Sequence, residues 1–400
     1  MAIDNKDKKV LNVPHLRFPE FSGEWEKCKL SEVCSFFSGG TPPSSKKEYY
    51  DGSIPFIRSG EIHMDKTELF ITEEGLNNSA AKMVEIGDLL LALYGATSGD
   101  IAISQIRGAI NQAILCLRTT QNKKFIESVW KKHVGRLLQT YLQGGQGNLS
   151  ADIVKNLSFY FANDNEQTKL AKFISLLDER IATQNKLIEK LESLIKGLND
   201  TLYAQHGDEV MTSFAALGTS YSGLSGKSAQ DFGSGKPFIT YLNVYLNNVI
   251  NENDFQYVAI KDGEKQNVVE YGDVLFTLSS ETPEEVGIGS VYLGKDEVFL
   301  NSFCFGIHIT NVEVAFPPYL SYYVSSTPFR KFIYPYAQGS TRFNLSKADF
   351  EKASIKLPTL ENQKRIYSIL GHINCKIETE RQLLALYNSQ KQYMLRQMFI

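Results

Sequence analysis

The chain has 400 residues, enough for two to four domains at roughly 100–200 residues each. Its 42% hydrophobic and 22% charged residues are typical of a globular protein and exclude a collagen, a low-complexity chain and a disulfide mini-scaffold. The net charge of −3 is uneven: residues 22–160 hold 15 Lys and Arg against 15 Asp and Glu, whereas residues 208–360 hold 11 against 17. Because a protein that binds DNA alone usually has a basic face, the charge alone does not predict one.

The N-terminal segment, residues 1–21, begins with the charged string MAIDNKDKKV and predicts no secretory signal. No apolar run approaches the ~20 residues of a membrane helix, so no membrane association is expected. Five cysteines lie far apart and without CxxC spacing, at Cys28, Cys34, Cys116, Cys304 and Cys375. This usage predicts reduced thiols, no zinc site and a cytoplasmic protein.

Residues 22–165, called head 1 from here on, are predicted to form a mixed domain of strands and helices. Short β-type runs such as residues 114–117 are broken by turns that contain glycine. A helix is predicted over 125–141, and a loop of glycines and amides follows at 143–148.

Residues 166–207 are predicted to form a first spacer helix, ended by Gly207. Apolar residues alternate there at spacings of four and three, which specifies a coiled-coil seam over four heptads. The predicted seam residues are Leu170, Ile174, Leu177, Ile181, Ile188, Leu191, Ile195 and Leu198, with Gln184 as a polar insertion.

Residues 208–360, called head 2, and a second spacer helix over 361–400 repeat this plan. Residues 208–235 are predicted to lead into head 2, with a β-type run at 303–307, a helix over 319–336 and a polar loop at 338–344. The seam of the second helix lies 196 residues after the first, with Glu380 as its polar insertion. Its predicted residues are Ile366, Leu370, Ile373, Ile377, Leu384, Tyr387 and Met394.

Several motifs recur in the same order and predict an internal duplication. Gly87-Asp88-Leu89-Leu90 returns as Gly272-Asp273-Val274-Leu275, and Pro55-Phe56-Ile57 as Pro237-Phe238-Ile239. The fold predicted is therefore α+β, with two pseudo-repeated domains separated by two long antiparallel coiled-coil helices. Pairing within the chain is favoured over a homodimer zipper because the two helices are held at high effective concentration. A helix of about 38 residues gives a spacer of roughly 55 Å and a dumbbell shape.

Searches for catalytic motifs find no credible centre. Gly226-Lys227-Ser228 lacks the upstream glycine of a phosphate-binding loop. Phe316-Pro317-Pro318-Tyr319 has an apolar first residue where amino-methyltransferases need a hydrogen-bond acceptor, so it is interpreted as a helix entry. No Glu-x-Lys nuclease motif, HExxH or GxSxG elbow is present.

Several strings, in this order and with the repeat, resemble the specificity subunits of type I restriction-modification systems, the HsdS family. They are residues 13–25 (VPHLRFPEF…W), 39–42 (GGTP), 56–62 (FIRSGEI), 108–113 (GAINQA), and Leu357-Pro358 followed by Glu361-Asn362-Gln363. The first copy departs from the last motif, with Ala162 where the second has Pro358.

The resemblance implies a non-catalytic subunit whose two target-recognition domains each read one half of an asymmetric bipartite site in double-stranded DNA. It implies that the helices set the gap and dock two modification subunits, which methylate adenine N6, and with them the restriction subunits. It implies no cofactor in this chain, with S-adenosylmethionine, ATP and Mg in the partners. A coiled-coil adaptor without a DNA role and a stand-alone DNA-modifying enzyme stay open as alternatives.

For DNA contacts we predict polar residues in loops, where Arg suits guanine and Asn or Gln suit adenine. Asn111 and Asn301 could instead be turn residues, and Asn148 and Asn344 helix caps. The predicted contacts are Arg58, Ser59, Asn111, Gln112, Gln146 and Asn148 in head 1, and Thr240, Tyr241, Asn243, Asn301, Ser302, Ser340, Thr341, Arg342 and Asn344 in head 2.

Overall fold

A computed structural model describes residues 11–141, 149–205 and 208–400. The chain forms two compact units, residues 1–185 with 382–400, and residues 186–381. Gly207, predicted to end the first spacer helix, lies outside the described residues. The domain boundaries after residues 21, 165, 207 and 360 stay predictions.

The first unit contains ten strands and the first five helices among its described residues. In chain order these are β1 (Glu26–Lys29), α1 (Leu30–Val33), β2 (Cys34–Ser38), β3 (Tyr50–Ile57), β4 (Phe70–Ile71), α2 (Glu73–Asn77), β5 (Lys82–Val84), β6 (Leu89–Ala92), β7 (Ile101–Ile103), β8 (Gly108–Ile110), β9 (Ile114–Thr119), α3 (Lys123–Tyr141), α4 (Ala151–Asn156), β10 (Ser158–Phe161) and α5 (Asp164–Ala204), which continues into the second unit.

The second unit repeats much of this order. Its elements are β11 (Glu209–Thr212), α6 (Phe214–Leu217), β12 (Gly218–Ser222), β13 (Phe232–Ile239), α7 (Tyr241–Leu246), β14 (Gln256–Val258), β15 (Val274–Thr277), β16 (Ser279–Ser280), β17 (Gly289–Val291), β18 (Phe299–Leu300), β19 (Cys304–Ile309), α8 (Pro317–Tyr323), α9 (Thr327–Ile333), β20 (Ala337–Gln338), β21 (Phe343–Leu345), α10 (Lys347–Lys352), β22 (Ile355–Pro358) and α11 (Leu360–Met398), whose end returns to the first unit.

The sheets have matching topologies in the two heads. The order β2-β9-β6-β7 in head 1 corresponds to β12-β19-β15-β17 in head 2, and both are antiparallel throughout. A parallel pair, β3 with β8, corresponds to β13 with β18. The closing pair β1-β10 corresponds to β11-β22. The predicted duplication and the α+β class are confirmed.

The two long helices pair within the chain in antiparallel directions, as predicted. In the first unit, Lys391 of α11 forms an ion pair with Asp178 of α5 at 2.5 Å. In the second unit, Arg381 pairs with Glu192 at 2.7 Å. As the residue number increases along α5, the residue number of its partner on α11 decreases, so the two helices are antiparallel. Every predicted seam residue is buried or half-buried, and both polar insertions are buried.

A buried glutamine near the start of each helix anchors it to its head. The Gln167 amide donates to the Ala162 carbonyl at 2.7 Å, and the Gln363 amide to the Pro358 carbonyl at 2.8 Å. The Gln363 side-chain oxygen also accepts the backbone N–H of Phe316 at 2.8 Å. These matched bonds explain why glutamine recurs at positions 167 and 363, which are 196 residues apart.

The predicted helix over 319–336 is wrong, because the chain forms two short helices, α8 and α9. The hydroxyl of Ser326 donates to the Tyr323 carbonyl at 2.7 Å and caps α9 by accepting the Phe329 N–H at 3.3 Å. Pro328 has no N–H to continue a helix from α8. Pro317 does begin α8, as the helix-entry interpretation expects.

The predicted lead-in over 208–235 is part of head 2 itself. It contains β11 and β12, which pair with β22 and β19. Lys227, from the rejected phosphate-loop string, donates to the Ala259 carbonyl at 2.6 Å and forms an ion pair with Glu264. Among the described residues, no helix is long and apolar enough to cross a bilayer. All five cysteines are free.

The matched Gly-Asp motif closes the same turn in both heads. Gly87 and Gly272 have φ of 87° and 92°, which glycine adopts without steric cost. The following carboxylates, Asp88 and Asp273, each accept the backbone N–H three residues earlier, at 3.0 and 2.9 Å. The turn therefore requires both residues of the motif.

The side-chain partners of these two aspartates differ, and so do their pKa values. Arg118 donates to Asp88 at 2.8 Å, whereas Tyr221 donates to Asp273 at 2.6 Å and His308 lies 2.9 Å away. Burial raises the pKa of Asp88, but hydrogen bonds from Arg118 and the backbone outweigh it, so the pKa is lowered. Burial dominates at Asp273 and raises its pKa.

We therefore expect the two aspartates to have opposite pH dependence. Asp88→Asn should lower the free energy of unfolding of head 1 by about 1–3 kcal/mol at pH 7, because an ionised acceptor is lost. That loss should shrink as the pH falls through the lowered pKa of Asp88. The contribution of Asp273 should be largest at low pH and fall as the pH rises through its raised pKa. Unfolding of Asp88→Asn and Asp273→Asn between pH 3 and 8 checks this, and equal pH profiles would contradict it.

Candidate DNA interface

In head 1, four of the predicted contact residues lie at the ends of two neighbouring parallel strands. Ile57 of β3 pairs with Ile110 of β8. The predicted contacts Arg58–Ser59 and Asn111–Gln112 follow these two residues directly. The Gln112 side-chain oxygen also accepts a hydrogen bond from the Thr41 hydroxyl at 2.7 Å. The strand pairing thus brings these residues to one edge of the sheet.

Head 2 has the same arrangement with different side chains. Ile239 of β13 pairs with Leu300 of β18, and the predicted contacts Thr240–Tyr241 and Asn301–Ser302 follow them. The N–H of Asn301 donates to the Ile239 carbonyl at 3.0 Å. The matched positions therefore carry Arg-Ser and Asn-Gln in head 1 but Thr-Tyr and Asn-Ser in head 2.

Asn111 and Asn301 have the turn role that was the alternative to DNA contact. The Asn111 side-chain oxygen accepts the N–H of Ala113 at 3.0 Å, and that of Asn301 accepts the N–H of Phe303 at 2.9 Å. These bonds fix the loop after each strand. Direct DNA contact by either residue stays a prediction.

Three predicted contacts of head 2 belong to a helix start or a helix, not to a loop. The Thr240 hydroxyl caps α7 by accepting the Asn243 N–H at 3.1 Å. The Tyr241 hydroxyl donates to the Ser279 carbonyl at 2.8 Å, and its ring stacks on Tyr245 with centroids 6.0 Å apart. Asn243 is fully buried, with its amide bonded within head 2. Asn243 is therefore unsuited to contact DNA directly.

A groove in head 2 joins residues from three separate segments. Tyr241, Phe303 and Arg342 line an open cavity of about 320 Å³. Arg342 is exposed, as are Ser340 and Thr341. The fold thus brings α7, the turn after β18 and the connection between β20 and β21 to one surface.

The helix-cap alternative for Asn344 is wrong, and so is its placement in a loop. Asn344 lies exposed in β21, where it pairs with Ser279 of β16 and Gln338 of β20. The remaining two predictions of head 1, Gln146 and Asn148, lie outside the described residues. Ser150, not Asn148, caps the helix that follows, α4, by accepting the Ile153 N–H at 3.1 Å.

Acidic side chains line the head 2 groove beside Arg342. Glu281 is exposed, and Glu285 accepts hydrogen bonds from the hydroxyls of Tyr245 at 2.7 Å and Ser280 at 3.0 Å. These bonds lower the pKa of Glu285. The Glu285 carboxylate repels phosphate, whereas a carboxylate can accept a hydrogen bond from cytosine N4. The chemistry of the groove suits base edges better than the DNA backbone.

Two exposed apolar side chains and one buried acid also lie at the candidate interface, and residue polarity did not predict them. Leu242 is 60% exposed and Phe303 57% exposed, and both line the head 2 groove. Glu61 is only 6% exposed and lies beside Arg58. An alignment of the two heads on Pro-Phe-Ile would have pointed to Glu61, since it matches Asn243, and both are buried polar residues.

The outer faces of the long helices carry exposed apolar residues outside the seam. On α5, Leu187 and Leu194 are 38% and 51% exposed and lie seven residues apart, on one face. On α11, Leu386 and Tyr393 are 64% and 47% exposed with the same spacing. Exposed apolar side chains in a row are typical of protein-binding surfaces.

Comparison with known proteins identifies the class. The sequence model of the type I restriction modification DNA specificity domain matches residues 22–193 and again 226–386. The chain therefore belongs to this family, carries its domain twice and is a DNA-specificity subunit of a type I restriction-modification system. The family resemblance drawn from the sequence is confirmed.

Individual relatives agree over most or part of the chain. The type I restriction enzyme MjaVIII specificity subunit of Methanocaldococcus jannaschii is 22% identical over 94% of this chain and 91% of its own length. The EcoR124I/EcoR124II specificity subunit of Escherichia coli is 26% identical over 44% of this chain and 45% of its own length. The S subunit structure from M. genitalium has the same fold, with a TM-score of 0.54 at 16% identity over 97% of this chain and 99% of that one.

Proposed function

We propose that each head reads one half of an asymmetric, bipartite site in double-stranded DNA. The observation that carries the proposal is the pair of matched parallel-strand ends, at which Arg58-Ser59 in head 1 corresponds to Thr240-Tyr241 in head 2. Equivalent positions with different side chains read different bases, so the two half-sites should differ in sequence.

We further propose that α5 and α11 set the unread gap between the half-sites. Their lengths of 41 and 39 residues correspond to about 60 Å of helix at 1.5 Å per residue. DNA rises 3.4 Å per base pair, so the helix length determines a fixed number of base pairs. Each helix has one buried polar insertion in its seam, Gln184 in α5 and Glu380 in α11, and such insertions support a fixed register.

Two modification subunits are proposed to dock on the outer faces of the helices, and restriction subunits to join through them. Leu187, Leu194, Leu386 and Tyr393 supply exposed apolar contacts for such docking. The partners would also supply much of the grip on phosphate, because head 2 carries excess acid. Tight, specific DNA binding by the isolated chain at physiological salt would contradict this division of labour.

The chain itself is proposed to be non-catalytic and to work in the cytoplasm. S-adenosylmethionine, ATP and Mg would be bound by the partner subunits. Two observations support this: Lys227 of the phosphate-loop string is engaged with Ala259 and Glu264, and Phe316 packs edge-on against Tyr367 at 5.6 Å. Lys227 is thus engaged within head 2, and Phe316 has no polar side-chain atom that could bind a substrate amino group.

Single substitutions in the two heads test the reading proposal. We expect Gln112→Ala to relax the methylated sequence in one half-site only, and Arg342→Ala in the other half-site only. Each lost base contact should reduce discrimination by about 1–3 kcal/mol at that position. The measurement is mapping of methylated adenines in cells that express each variant with the modification subunits.

Lys331→Ala is the matched control for Arg342→Ala, because Lys331 is an exposed cation of head 2 outside the groove. It should leave both half-sites unchanged. The proposal would be contradicted if either test variant relaxed both half-sites. It would also be contradicted if neither variant relaxed any half-site.

A further inference from the structure

Arg58 of head 1 is held in one orientation by a single acidic side chain. Its Nε donates to Glu61 Oε2 at 3.1 Å, and its Nη2 donates to Glu61 Oε1 at 2.6 Å. Two parallel bonds between a guanidinium and a carboxylate fix the plane of both groups. A second carboxylate, Glu68, is 91% exposed and lies at 3.5 Å, the limit of a hydrogen bond.

Glu61 is itself fixed from the other side. The Thr67 hydroxyl lies 3.0 Å from both Glu61 Oε2 and the Phe56 carbonyl of β3, and Glu61 Oε2 also accepts the backbone N–H of Arg58 at 3.0 Å. Burial opposes ionisation of Glu61, but these hydrogen bonds lower its pKa to about 2. The carboxylate is therefore ionised at neutral pH and cannot rotate away without losing its bonds.

The remaining donors of Arg58 are turned to solvent. The side chain is 49% exposed and lines an open cavity of about 610 Å³. Within the part of the chain that the structure describes, Nη1 has no hydrogen-bond partner. One N–H of Nη1 is therefore free, and the outer N–H of Nη2 has only the 3.5 Å contact with the exposed Glu68. These two N–H groups can bind two acceptors side by side, as O6 and N7 of guanine are arranged.

The ion pair also makes phosphate a poor ligand for Arg58. Glu61 neutralises the guanidinium, so the attraction to a phosphate charge is weakened while the N–H donors stay in place. A neutralised, oriented arginine at the edge of a sheet suits a base edge in the major groove.

Head 2 has no equivalent of this pair. Thr240 stands where head 1 has Arg58, and Asn243 stands where it has Glu61. The Asn243 amide donates to the Asn251 carbonyl at 2.9 Å, and its oxygen accepts the Asn251 N–H at 3.0 Å. The Asn243 oxygen also accepts a hydrogen bond from the side-chain amide of the half-buried Asn247 at 3.1 Å. Asn243 therefore holds the segment after α7 and does not orient an arginine. The arginine that is oriented by a buried glutamate is therefore found in head 1 and not at the matched positions of head 2.

We propose that Arg58 reads a guanine in the half-site of head 1, and that Glu61 is the positioning residue that orients it. The inference rests on the proposed DNA reading by head 1. It assigns to Glu61 a role in base discrimination in addition to capping the 3-10 turn at Ser59–Glu61.

Modified DNA bases test the guanine assignment directly. The probes are duplexes with the motif methylated by the wild-type complex, in which one guanine at a time is replaced by 7-deazaguanine, which lacks N7, or by inosine, which keeps O6 and N7. For the complex of the full chain with its modification subunits, 7-deazaguanine at one position of the head 1 half-site should weaken binding about 5- to 100-fold. Inosine at that position should leave binding unchanged.

Variants then separate reading from folding. The complex with Arg58→Ala should bind the guanine and 7-deazaguanine duplexes equally. Glu61→Gln should lose most of the discrimination at the same position, while discrimination at the other positions of that half-site is retained, which a general loss of structure would not produce. Glu68→Gln is the matched control and should behave as the wild type.

Three other outcomes would each contradict one part of the proposal. Discrimination retained by Glu61→Gln would overturn the positioning role of Glu61. Indifference of the wild-type complex to 7-deazaguanine throughout the head 1 half-site would overturn guanine reading by Arg58. The absence of any methylated bipartite motif with the wild-type chain would overturn the proposed function itself, and the duplex experiment could not then be built.

Discussion

Insertion of four residues after Glu189 in α5 is expected to lengthen the gap of the recognised DNA site by about two base pairs and to leave both half-sites unchanged. Four residues add about 6 Å of helix, close to the rise of two base pairs. They also add 400° of rotation, one full turn and about 40°, so the seam returns nearly to the same face. The measurement is the methylated motif of cells that express the variant with the modification subunits.

A second variant is needed because lengthening only one helix could prevent the two helices from pairing. This second variant also has four residues inserted in α11 beside Arg381, which pairs with Glu192, so that both helices are lengthened by the same amount. Glu189→Gln, which changes no length, is the control and should keep the original gap. An active complex with lengthened helices and an unchanged gap would contradict the proposal that the helices set it.

Phe399→Ala is expected to destabilise the first unit by about 3–5 kcal/mol, the usual cost of removing a buried phenylalanine side chain. Phe399 is 1% exposed and packs against Phe125 and Trp25, with ring centroids 5.5 and 6.4 Å away. The Lys132 ammonium also donates to the Phe399 carbonyl. Urea unfolding of the full chain, followed by tryptophan fluorescence, measures the loss, since Trp25 lies in this cluster.

Tyr393→Ala is the matched control, because Tyr393 is an aromatic residue of the same helix that is 47% exposed. Its substitution should cost less than about 1 kcal/mol, as is usual for surface positions. Equal costs for the two substitutions would contradict the packing of the α11 end in the core of head 1.

The spacer helices could be predicted well because their signal is local and periodic. A spacing of 3.5 residues depends only on neighbouring turns of one helix, and every predicted seam residue is indeed buried or half-buried. The duplication was equally accessible, since a turn such as Gly87-Asp88 needs the same two residues in each copy. The spacing of apolar residues could not indicate that α11 ends inside the core of head 1. There Phe399 contacts Trp25, which lies near the other end of the sequence.

The failures have identifiable physical causes. The stretch 319–336 is rich in aromatic residues throughout, and this favoured the prediction of one continuous helix. The hydroxyl of Ser326, which caps α9 and separates it from α8, was not recognised as a helix start. At the interface, residue type did not distinguish an exposed Arg342 from a fully buried Asn243, because polar residues serve both as ligands and as internal hydrogen-bond partners. Exposure of Leu242 and Phe303 depends on tertiary packing and has no local signature.

The measurement that tests the central claim most directly is the genome-wide pattern of adenine methylation in the host with and without this gene. We expect removal of the gene to abolish one gapped, asymmetric motif and re-expression of the full chain to restore it, which would also reveal both half-sites and the gap. An unchanged methylation pattern in a host that expresses active modification subunits would contradict the claim that this chain supplies their sequence specificity.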